Sequence, residues 1–468
     1  MMKKIFDLFE TETYKSKLSR VLIGDFRLNA EYYSHDNNFE AVEGFEKTKL
    51  SNLADVVGFG PFKRYYIDEP IYGIPLISSS DMMELEPNCD KYISKEFTKD
   101  INKYLVKRNT ILLSCSGTIG NVTLVDSRLD GMGLSQHALR VIPKDEIYTG
   151  FLYTFFNSDF GQSLITGKKS GAVIDEIYDE DIKQIEIPLI DKESIGVLNS
   201  KIMYAVEKRE LASSLIAKAR KLVLEHNHLP PLDSIEPETL DPEKVTEMQL
   251  VSTEEFTADY RLDAHFYNPQ AALVVKNIRE NSSPAKLLFE VSDCLYRGGR
   301  SSRNYVAKDH GVPFLSGKNI IQIRPDLKYL SKTETNNLED LSVHRNWILI
   351  TRSGTLGRTV FIWKNYENYT ASEHLIRVIP DSDQIDEAYL YAFLSSNYGY
   401  HQLLRYKHGS VIDEITEDQI SQSLIPIPEQ DKQKEIGEMV RQAYVLRAES
   451  IRLEDEAQEI LTKELTGK

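Results

Sequence analysis

One segment of this chain occurs twice, and this repeat constrains the fold more than any other feature of the sequence. Residues 109–125 read NTILLSCSGTIGNVTLV and residues 346–362 read NWILITRSGTLGRTVFI, with seven of the seventeen paired positions identical. At the same spacing of 237 residues, LSQHALRVIP (134–143) returns as ASEHLIRVIP (371–380). An ordered repeat of this length indicates that one structural unit has been duplicated.

The repeated unit is predicted to combine short strands with a few helices. In each copy, β-branched apolar runs flank an SGT-(I/L)-G turn, which is the pattern of a β-hairpin. An apolar helical stretch follows at 151–165 and 389–404, and then a VIDEI segment at 173–177 and 411–415. Strands, turns and helices in this mixture indicate an α+β unit.

Both units are followed by a heptad ladder, which predicts two long helices that pair. Apolar or small residues recur at alternating spacings of three and four over residues 195–223 and 436–464. Antiparallel pairing brings large residues against small ones and matches the two internal polar positions, Arg209 and Ser450. The alternative is that each helix packs only on its own unit. The residues assigned to helix pairing are Ile195, Leu198, Ile202, Arg209, Ile216, Ile436, Met439, Leu446, Ser450, Leu453 and Ile460.

The predicted architecture is therefore α+β, with two tandem, pseudo-two-fold related α+β domains joined by two long antiparallel, coiled-coil-like helices. Between the halves, residues 226–258 hold eight acidic residues, one basic residue and four prolines, which is typical of a solvated linker. The predicted segments are a first domain at 1–190, a central helix at 191–228, an acidic linker at 229–258, a second domain at 259–429 and a C-terminal helix at 430–468.

Composition excludes several classes of protein. The hydrophobic content of 41% supports packed cores. The net charge of −16 argues against a protein that coats nucleic acid without regard to sequence, although a local basic groove is compatible with it. The three cysteines form no CxxC pair, so neither a zinc site nor any other metal or cofactor is predicted. The N-terminus lacks a secretory signal and no apolar run is long enough to span a membrane, so we expect a cytoplasmic protein.

The residue types that support catalysis elsewhere have simpler interpretations here. The SGT turns lack the GxxxxGK(S/T) and GxGxxG spacings, which favours a structural turn over a nucleotide loop. His137 and His374 occupy equivalent strand positions with no nucleophile motif beside them, which favours hydrogen-bonded structural histidines. The Asp-Glu pairs at 175–176 and 413–414 favour turn support, because adjacent side chains point apart. We predict no catalytic residue and no enzyme activity.

Basic, aromatic loops stand out in this acidic chain. Residues 296–305 read YRGGRSSRNY, and the first copy offers FGPFKRYY at 59–66. Arginine can contact phosphate or donate two hydrogen bonds to guanine, so two such loops at matching places favour DNA binding over a solvated loop. Framework positions agree between the copies while polar loop tips diverge, which suits one scaffold that reads two short sequences. The candidate DNA-binding residues are Lys63, Arg64, Ser80, Asn121, Lys168, Lys169, Arg297, Arg300, Arg303, Lys318, Asn319, Arg352, Arg358 and Lys407.

The chain resembles the specificity subunits of type I restriction–modification enzymes. The resemblance lies in the two-fold repeat, in GIPLISSSDM (73–82) and GVPFLSGKNI (311–320), in the SGTIG and SGTLG turns and in the HLIRVIP strand. The tail LIPIPEQDKQKEIGEMV (424–440), which runs into the terminal helix, fits especially well. The first unit departs from the pattern, because its tail reads IEIPLIDKESIGVLN (185–199) without the PEQ form.

This resemblance implies that each α+β unit is a target recognition domain and that the helices set the spacing between them. It implies a non-catalytic subunit that binds a bipartite target in double-stranded DNA, with one half-site for each domain. The implied partners are two methyltransferase subunits and, in the full complex, restriction motor subunits. Two alternatives stay open: a protein-binding scaffold or decoy on the same fold, and a nuclease with an unrecognised site.

Overall fold

The computed structural model describes residues 44–67, 70–87, 91–168, 175–232, 261, 263, 265–282, 284–295, 303–336, 338–409 and 412–467. Most of the predicted linker at 229–258 lies outside these residues, as do Lys169, Arg297 and Arg300. The described residues divide into two compact units. The first unit contains those up to Glu210 and those from Glu449 onwards, and the second contains those from Leu211 to Ala448.

The first unit is built from short strands, short helices and parts of two long helices. Its strands are β1 (Lys47–Lys49), β2 (Ala54–Val57), β3 (Tyr66–Ile67), β4 (Gly73–Ile77), β5 (Tyr92–Ser94), β6 (Ile111–Ser114), β7 (Val122–Leu124), β8 (Gly133–Leu134), β9 (Ala138–Pro143) and β10 (Glu186–Pro188). Its helices are α1 (Leu50–Leu53), α2 (Ile147–Asn157), α3 (Asp159–Thr166), α4 (Asp179–Lys183) and the first part of α5 (Lys192–His226).

The central hairpin of the first unit lies inside a four-stranded sheet. The described strands pair in the orders β2-β9-β6-β7, β3-β5-β4-β8 and β1-β10. In the antiparallel pair β6–β7, Ile111 lies opposite Leu124. The turn that joins these strands contains Gly117 and Gly120, whose φ angles of 76° and 92° favour glycine. The hairpin predicted from the SGTIG pattern is confirmed.

The second unit repeats this construction. Its strands are β11 (Ala285–Leu287), β12 (Ser292–Leu295), β13 (Gly311–Leu315), β14 (Lys328–Ser331), β15 (Ile348–Thr351), β16 (Thr359–Phe361), β17 (Thr370–Ala371), β18 (Leu375–Pro380) and β19 (Leu424–Pro426). Its helices are α6 (Pro269–Asn281), α7 (Leu338–Leu341), α8 (Glu387–Leu394), α9 (Asn397–Arg405), α10 (Glu417–Ser421), the second part of α5 and the first part of α11 (Gln430–Thr466).

The sheets of the two units have the same topology. The order β12-β18-β15-β16 corresponds to β2-β9-β6-β7, the pair β11-β19 to β1-β10, and β14-β13-β17 to β5-β4-β8. Parallel pairing is repeated as well, since β4 pairs parallel with β8 and β13 with β17. At the position of β3, Tyr305 forms a single bridge to Leu330 of β14. The two units therefore share one α+β fold, as the sequence repeat predicted.

The apolar runs of the repeat form the core of each unit. All four residues of β6 and all four of β15 are buried. Phe151 and Phe155 of α2 are fully buried in the same core as β6, and Tyr389 and Phe393 of α8 take the corresponding place beside β15. Each such side chain contributes roughly 1.5–3 kcal/mol by its burial. This packing fixes the scaffold and leaves the loops at the strand ends available for other contacts.

The helical stretch predicted at 151–165 is present and divides into two helices. The backbone leaves the helical conformation at Ser158, where φ is −78° and ψ is 159°. The Ser158 hydroxyl accepts a hydrogen bond from Gly161 N, and Ser396 accepts one from Gly399 N at the start of α9. A serine cap stabilises a helix start by about 1 kcal/mol. The capping serine therefore interrupts an otherwise continuous apolar pattern in both copies.

The long helices run antiparallel where they meet inside the first unit. Lys201 Nζ lies 2.7 Å from Glu456 Oε2, and Lys208 Nζ lies 3.7 Å from Glu449 Oε2. Residue numbers thus rise along α5 as they fall along α11. Of the residues assigned to helix pairing, those with buried side chains are Ile195, Leu198, Ile202, Arg209, Ile216, Ile436, Leu446, Ser450 and Leu453, while Met439 and Ile460 are partly buried.

The same direction holds within the second unit. His226 Nε2 of α5 lies 3.2 Å from Glu435 Oε2 of α11. Ala212, Ile216 and Ala443 are buried in one apolar core there. Within the described ranges, each helix is too short or too polar to cross a lipid bilayer.

Candidate nucleic-acid interface

The last residue of the strand before each SGT turn, Ser114 of β6 or Thr351 of β15, holds the turn in place. Ser114 Oγ donates to a carbonyl oxygen inside the turn at 2.6 Å and accepts a hydrogen bond from Asn121 N at 2.8 Å. In the second unit, Thr351 Oγ1 donates to the corresponding carbonyl oxygen and accepts from Arg358 N at 2.9 Å. The predicted loop-tip residues Asn121 and Arg358 therefore occupy equivalent, fixed backbone positions while they offer different side chains.

The VIDEI segment packs against the start of the same turn. Ile177 N donates to Cys115 O at 2.9 Å, and Ile415 N donates to Arg352 O at 3.0 Å. The Glu414 carboxylate also pairs with Arg352 Nη2 at 3.1 Å. In the second unit the acidic segment therefore supports the turn through an ion pair. The buried thiol of Cys115 stands at the equivalent position of the first unit.

Backbone hydrogen bonds align the two basic loops residue by residue. The last residue of β5 donates its N–H to Tyr65 O at 2.8 Å, and the last residue of β14 donates to Asn304 O at 2.9 Å. Arg64 and Arg303 each precede one of these carbonyl groups. The two arginines are therefore structural equivalents, at a spacing that differs slightly from that of the central repeat.

In the second unit, Arg303 forms an ion pair with Glu373. Nη2 of Arg303 lies 2.5 Å from both carboxylate oxygens, and the guanidinium lies 5.0 Å from the centre of the Phe314 ring. Glu373 Oε1 is also 3.6 Å from Nε2 of His374, whose Nδ1 lies 2.7 Å from Ser353 Oγ. We call Arg303, Glu373 and His374 the second Arg-X-His cluster.

Both members of this ion pair are held in their charged forms. Burial lowers the pKa of Arg303, but hydrogen bonds to Glu373 and Tyr305 and the charge of Glu373 together more than compensate, and the pKa is raised overall. Burial raises the pKa of Glu373, but a backbone hydrogen bond and the guanidinium together hold it below its usual value. The cluster therefore has a compensated Arg–Glu charge pair at neutral pH.

In the first unit, Arg64 contacts a neutral amide in place of a carboxylate. Nη2 of Arg64 donates to Gln136 Oε1, and the guanidinium lies 5.1 Å from the centre of the Phe62 ring. Gln136 Nε2 lies 3.1 Å from Nε2 of His137. Arg64, Gln136 and His137 form the first Arg-X-His cluster. The two clusters have the same plan and differ in charge.

Gln136 and Glu373 are absent from the predicted contacts, although the repeat contains a signal for them. LSQH at 134–137 corresponds to ASEH at 371–374, where serine and histidine are shared and the residue between them changes from amide to acid. Their partners lie 72 and 70 residues earlier in the chain, so only the folded sheet reveals the contact.

Loop tips after β4 and β13 carry other predicted residues. Ser80 and Lys318 are exposed there. Asn319, in contrast, is only 8% exposed. Its side chain accepts from Ser316 Oγ at 2.6 Å and donates to Asp326 O at 2.7 Å. Its amide is used within the loop, where it supports the backbone beside Lys318.

The remaining predicted lysines lie in different surroundings. Lys63 is exposed, with its ammonium 4.7 Å from the centre of the Tyr65 ring. Lys168 follows α3 and is half-buried, and Lys407 follows α9 and pairs with Asp413 at 2.7 Å. The predicted contacts thus do not form one uniformly basic surface.

The chemistry of these surfaces is hydrogen bonding and charge. Guanidinium groups suit phosphate oxygens and guanine, glutamate accepts from the cytosine amino group, and glutamine can pair with adenine. In the part of the chain that the structure describes, no cluster of histidine, cysteine, aspartate or glutamate side chains is arranged to hold a metal ion.

Two α+β units of one topology that differ at their polar loop tips define a tandem-repeat protein. A family model described as the type I restriction modification DNA specificity domain matches residues 43–219 and again residues 288–453. The chain belongs to this family and contains two copies of its domain. The match confirms the resemblance found in the sequence motifs.

Known relatives carry the same description. The type I restriction enzyme MjaIX specificity subunit of Methanocaldococcus jannaschii is 22% identical over 201 residues, which cover 41% of this chain and 45% of that relative, less than half its length. The S subunit of a type I restriction-modification system from M. genitalium shows 15% identity and a TM-score of 0.33, with 91% of this chain and 96% of that chain covered. The HsdS subunit from Thermoanaerobacter tengcongensis shows 16% identity and a TM-score of 0.28, with 91% and 97% covered.

Proposed function

We propose that this chain is the DNA sequence-recognition (specificity) subunit of a type I restriction–modification complex. Each unit binds one half-site of a bipartite target in double-stranded DNA. The long helices dock two methyltransferase subunits, and restriction motor subunits join the full complex. The observation that carries the proposal is the pair of matched DNA specificity domains, whose scaffolds agree and whose loop-tip side chains differ.

The DNA contacts are assigned to the loop tips around each Arg-X-His cluster. In the first unit these are the basic loop with Lys63 and Arg64, and the turn with Asn121. In the second unit they are the loop with Arg303 and the turn with Arg358. Each set combines donors for phosphate with side chains that can reach base edges. Because the two sets differ in chemistry, the half-sites differ in sequence.

The partner contacts are assigned to the exposed faces of the long helices. Val197 and Tyr204 of α5 lie seven residues apart, on one face of the helix, and are 42% and 45% exposed. Val445 of α11 is 50% exposed. These exposed apolar side chains are available to a partner surface. The net charge of −16 also suits association with basic partner surfaces.

The alternative is a non-catalytic scaffold or decoy that binds proteins through the same fold. The acidic net charge and the carboxylate held against Arg303 favour this alternative. The two functions differ in their response to mutation. A DNA specificity subunit no longer recognises one half-site when Arg64 or Arg303 is changed. A scaffold keeps its protein partners, and the same changes leave DNA methylation unaltered.

The test is a map of methylated bases in cells that carry this chain together with its methyltransferase. We expect a bipartite methylated motif. Arg64→Ala should relax only the half-site read by the first unit, and Arg303→Ala only the other. Each change should lower affinity by ~1–3 kcal/mol for the preferred base. An unmethylated genome in cells where the chain co-purifies with an active methyltransferase would contradict the proposal.

A further inference from the structure

We propose that Glu373 and Gln136 are specificity-determining residues that set how the arginine beside each responds to phosphate and to base edges. In the second unit, Glu373 neutralises Arg303, so this site gains little from DNA of the wrong sequence. In the first unit, Gln136 leaves the charge of Arg64 in place, so this site attracts any DNA backbone. The inference rests on the proposed function, because it requires both units to contact DNA.

The geometry supports a matched pair of sites that differ in one charge. Gln136 and Glu373 lie at the same place before β9 and β18, and each contacts the arginine of the basic loop and the following histidine. The Glu373 side chain is 13% exposed and that of Arg303 is 31% exposed. The carboxylate is therefore the inner member of the pair and the guanidinium is the member that DNA can reach.

Charge compensation makes the second cluster selective against phosphate. A phosphate that approaches Arg303 must also approach the Glu373 carboxylate, and the repulsion opposes the contact. Among the described carboxylates, none is paired with Arg64, so a phosphate meets no such opposition in the first cluster.

A base pair can replace the Arg303–Glu373 contact without this repulsion. Guanine offers N7 and O6 as acceptors for arginine, and the cytosine amino group can donate to the carboxylate. Both members of the ion pair then find hydrogen-bonding partners on a neutral surface. We therefore assign a G·C base pair to the position read by the second cluster.

A reciprocal exchange tests this assignment. Glu373→Gln gives the second cluster the chemistry of the first, and Gln136→Glu does the opposite. The full chain is assembled with its methyltransferase subunits, and binding is measured between 50 and 200 mM salt, concentrations over which counterion release is readily seen. The duplexes carry the methylated motif intact, with the first half-site scrambled, or with the second half-site scrambled.

We expect Glu373→Gln to tighten binding to DNA with a scrambled second half-site. The slope of log K against log salt should steepen by about 0.9, since one more cation is released. Discrimination at the G·C position should fall on the order of tenfold. Gln136→Glu should weaken binding to all duplexes, make the slope shallower by a similar amount, and sharpen discrimination at the first half-site.

Several outcomes would overturn the inference. One is that wild type and both variants share the same salt slope. Another is that Glu373→Asp, which keeps the charge, shifts the slope as much as Glu373→Gln does. A third is that Glu373→Gln weakens binding to intact and scrambled duplexes equally. If the wild-type complex binds all duplexes alike, the proposed function fails as well, whereas discrimination by wild type with unchanged variants rejects the inference alone.

Discussion

Arg209 of α5 and Glu454 of α11 form an ion pair inside the first unit, with side chains that are only 2% and 5% exposed. Arg209 Nη2 also lies 3.3 Å from Ser450 Oγ, and Tyr153 Oη donates to the Glu454 carboxylate at 3.3 Å. Burial lowers the pKa of Arg209, but the Glu454 carboxylate, together with Tyr153 and Asp126, outweighs burial and raises the pKa above its usual value. Helix registers that separate these charges are disfavoured, because each charge would then be buried alone.

Arg209→Met should therefore destabilise the protein strongly. The substitution leaves Glu454 buried without its main countercharge, which costs about 3–5 kcal/mol. Replacing both residues in Arg209→Met/Glu454→Met should recover most of this loss, because two apolar side chains of similar volume need no compensation. Denaturant unfolding of the three proteins measures the free energies.

The Lys201–Glu456 pair provides the matched control. It joins the same two helices, but its side chains are 28% and 33% exposed. Lys201→Ala should cost less than about 1 kcal/mol, as is usual for a solvent-accessible pair. A loss for Arg209→Met that is no larger than the loss for Lys201→Ala would show that burial adds nothing to the Arg209 contact.

Two helical glycines should respond to alanine in opposite directions. A Cβ added at Gly399 would collide with the carbonyl oxygen of Phe393, because α8 and α9 meet there in a sharp turn. Gly399→Ala should destabilise by ~1–3 kcal/mol, as overpacking does. Gly196 of α5 has no atom within 4 Å of the same position, so Gly196→Ala should stabilise by roughly 0.5–1 kcal/mol. Thermal unfolding checks both, and equal shifts would refute the steric argument.

The sequence predicts the elements whose signals are local. The β6–β7 hairpin follows from β-branched runs on either side of Gly117 and Gly120, which can take the left-handed angles that the turn needs. The long helices follow from the heptad spacing of their apolar residues. The turn pattern and the heptad spacing are both carried by the residues that form the hairpin and the helices. Each pattern also occurs in both copies of the unit, which strengthens the prediction.

The sequence does not predict contacts that depend on distant chain segments. The partner of Arg303 is set by the turn before β18, which carries Glu373 70 residues later, and by the sheet that brings the basic loop beside this turn. Asn319 is a second residue whose surroundings the sequence does not predict. It was predicted to lie at an exposed loop tip, yet it is buried because the loop folds over its amide. Side-chain direction at loop tips is a tertiary property.

Asn109 should tolerate glycine but not alanine. Its φ angle is 65°, and the matching Asn346 has a φ angle of 70°, so both occupy the left-handed region. Alanine in this conformation costs about 1–2 kcal/mol more than glycine, since its Cβ crowds the following carbonyl oxygen and it lacks the short polar side chain that lets asparagine occupy this region. Glycine has no Cβ, so Asn109→Gly should stay near the wild-type stability. The free energy of unfolding of both variants is measured with denaturant. A variant with alanine at position 109 that is more stable than the variant with glycine would contradict this expectation.

The two described cysteines should react slowly with alkylating reagents at neutral pH. Burial, assisted by the charge of Glu176, raises the pKa of Cys115 to about 11, and burial raises that of Cys294 to about 12. At pH 8, Cys115 then has on the order of a hundredfold less thiolate than an ordinary thiol. Iodoacetamide labelling of a Cys89→Ser variant, followed by mass spectrometry, measures both rates. They should rise as the pH approaches 11.

The same pKa shift links Cys115 to stability at high pH. The folded state holds the thiol proton more tightly than the unfolded chain does. The contribution of this thiol to the free energy of unfolding is therefore fully present below about pH 9. It is lost as the pH rises from about 9 towards 11, because only the unfolded chain ionises in that range. Cys115→Ala should remove this part of the pH dependence. Rapid labelling of the native protein at pH 8 would contradict both expectations.

The register of the helices in the first unit can be tested by crosslinking. Ile202 and Ala457 are buried in one core cluster, at positions that the heptad ladder pairs. After the native cysteines are replaced by serine, Ile202→Cys/Ala457→Cys should form a disulfide under mild oxidation, since facing positions bring two Cα atoms to about 5.5–6 Å. Ile202→Cys/Glu464→Cys places the second cysteine two helical turns further on, ~10 Å away along the axis, and should stay reduced. Crosslinking of the second pair but not the first would require a shifted register, and the Arg209–Ser450 contact would then be lost as well.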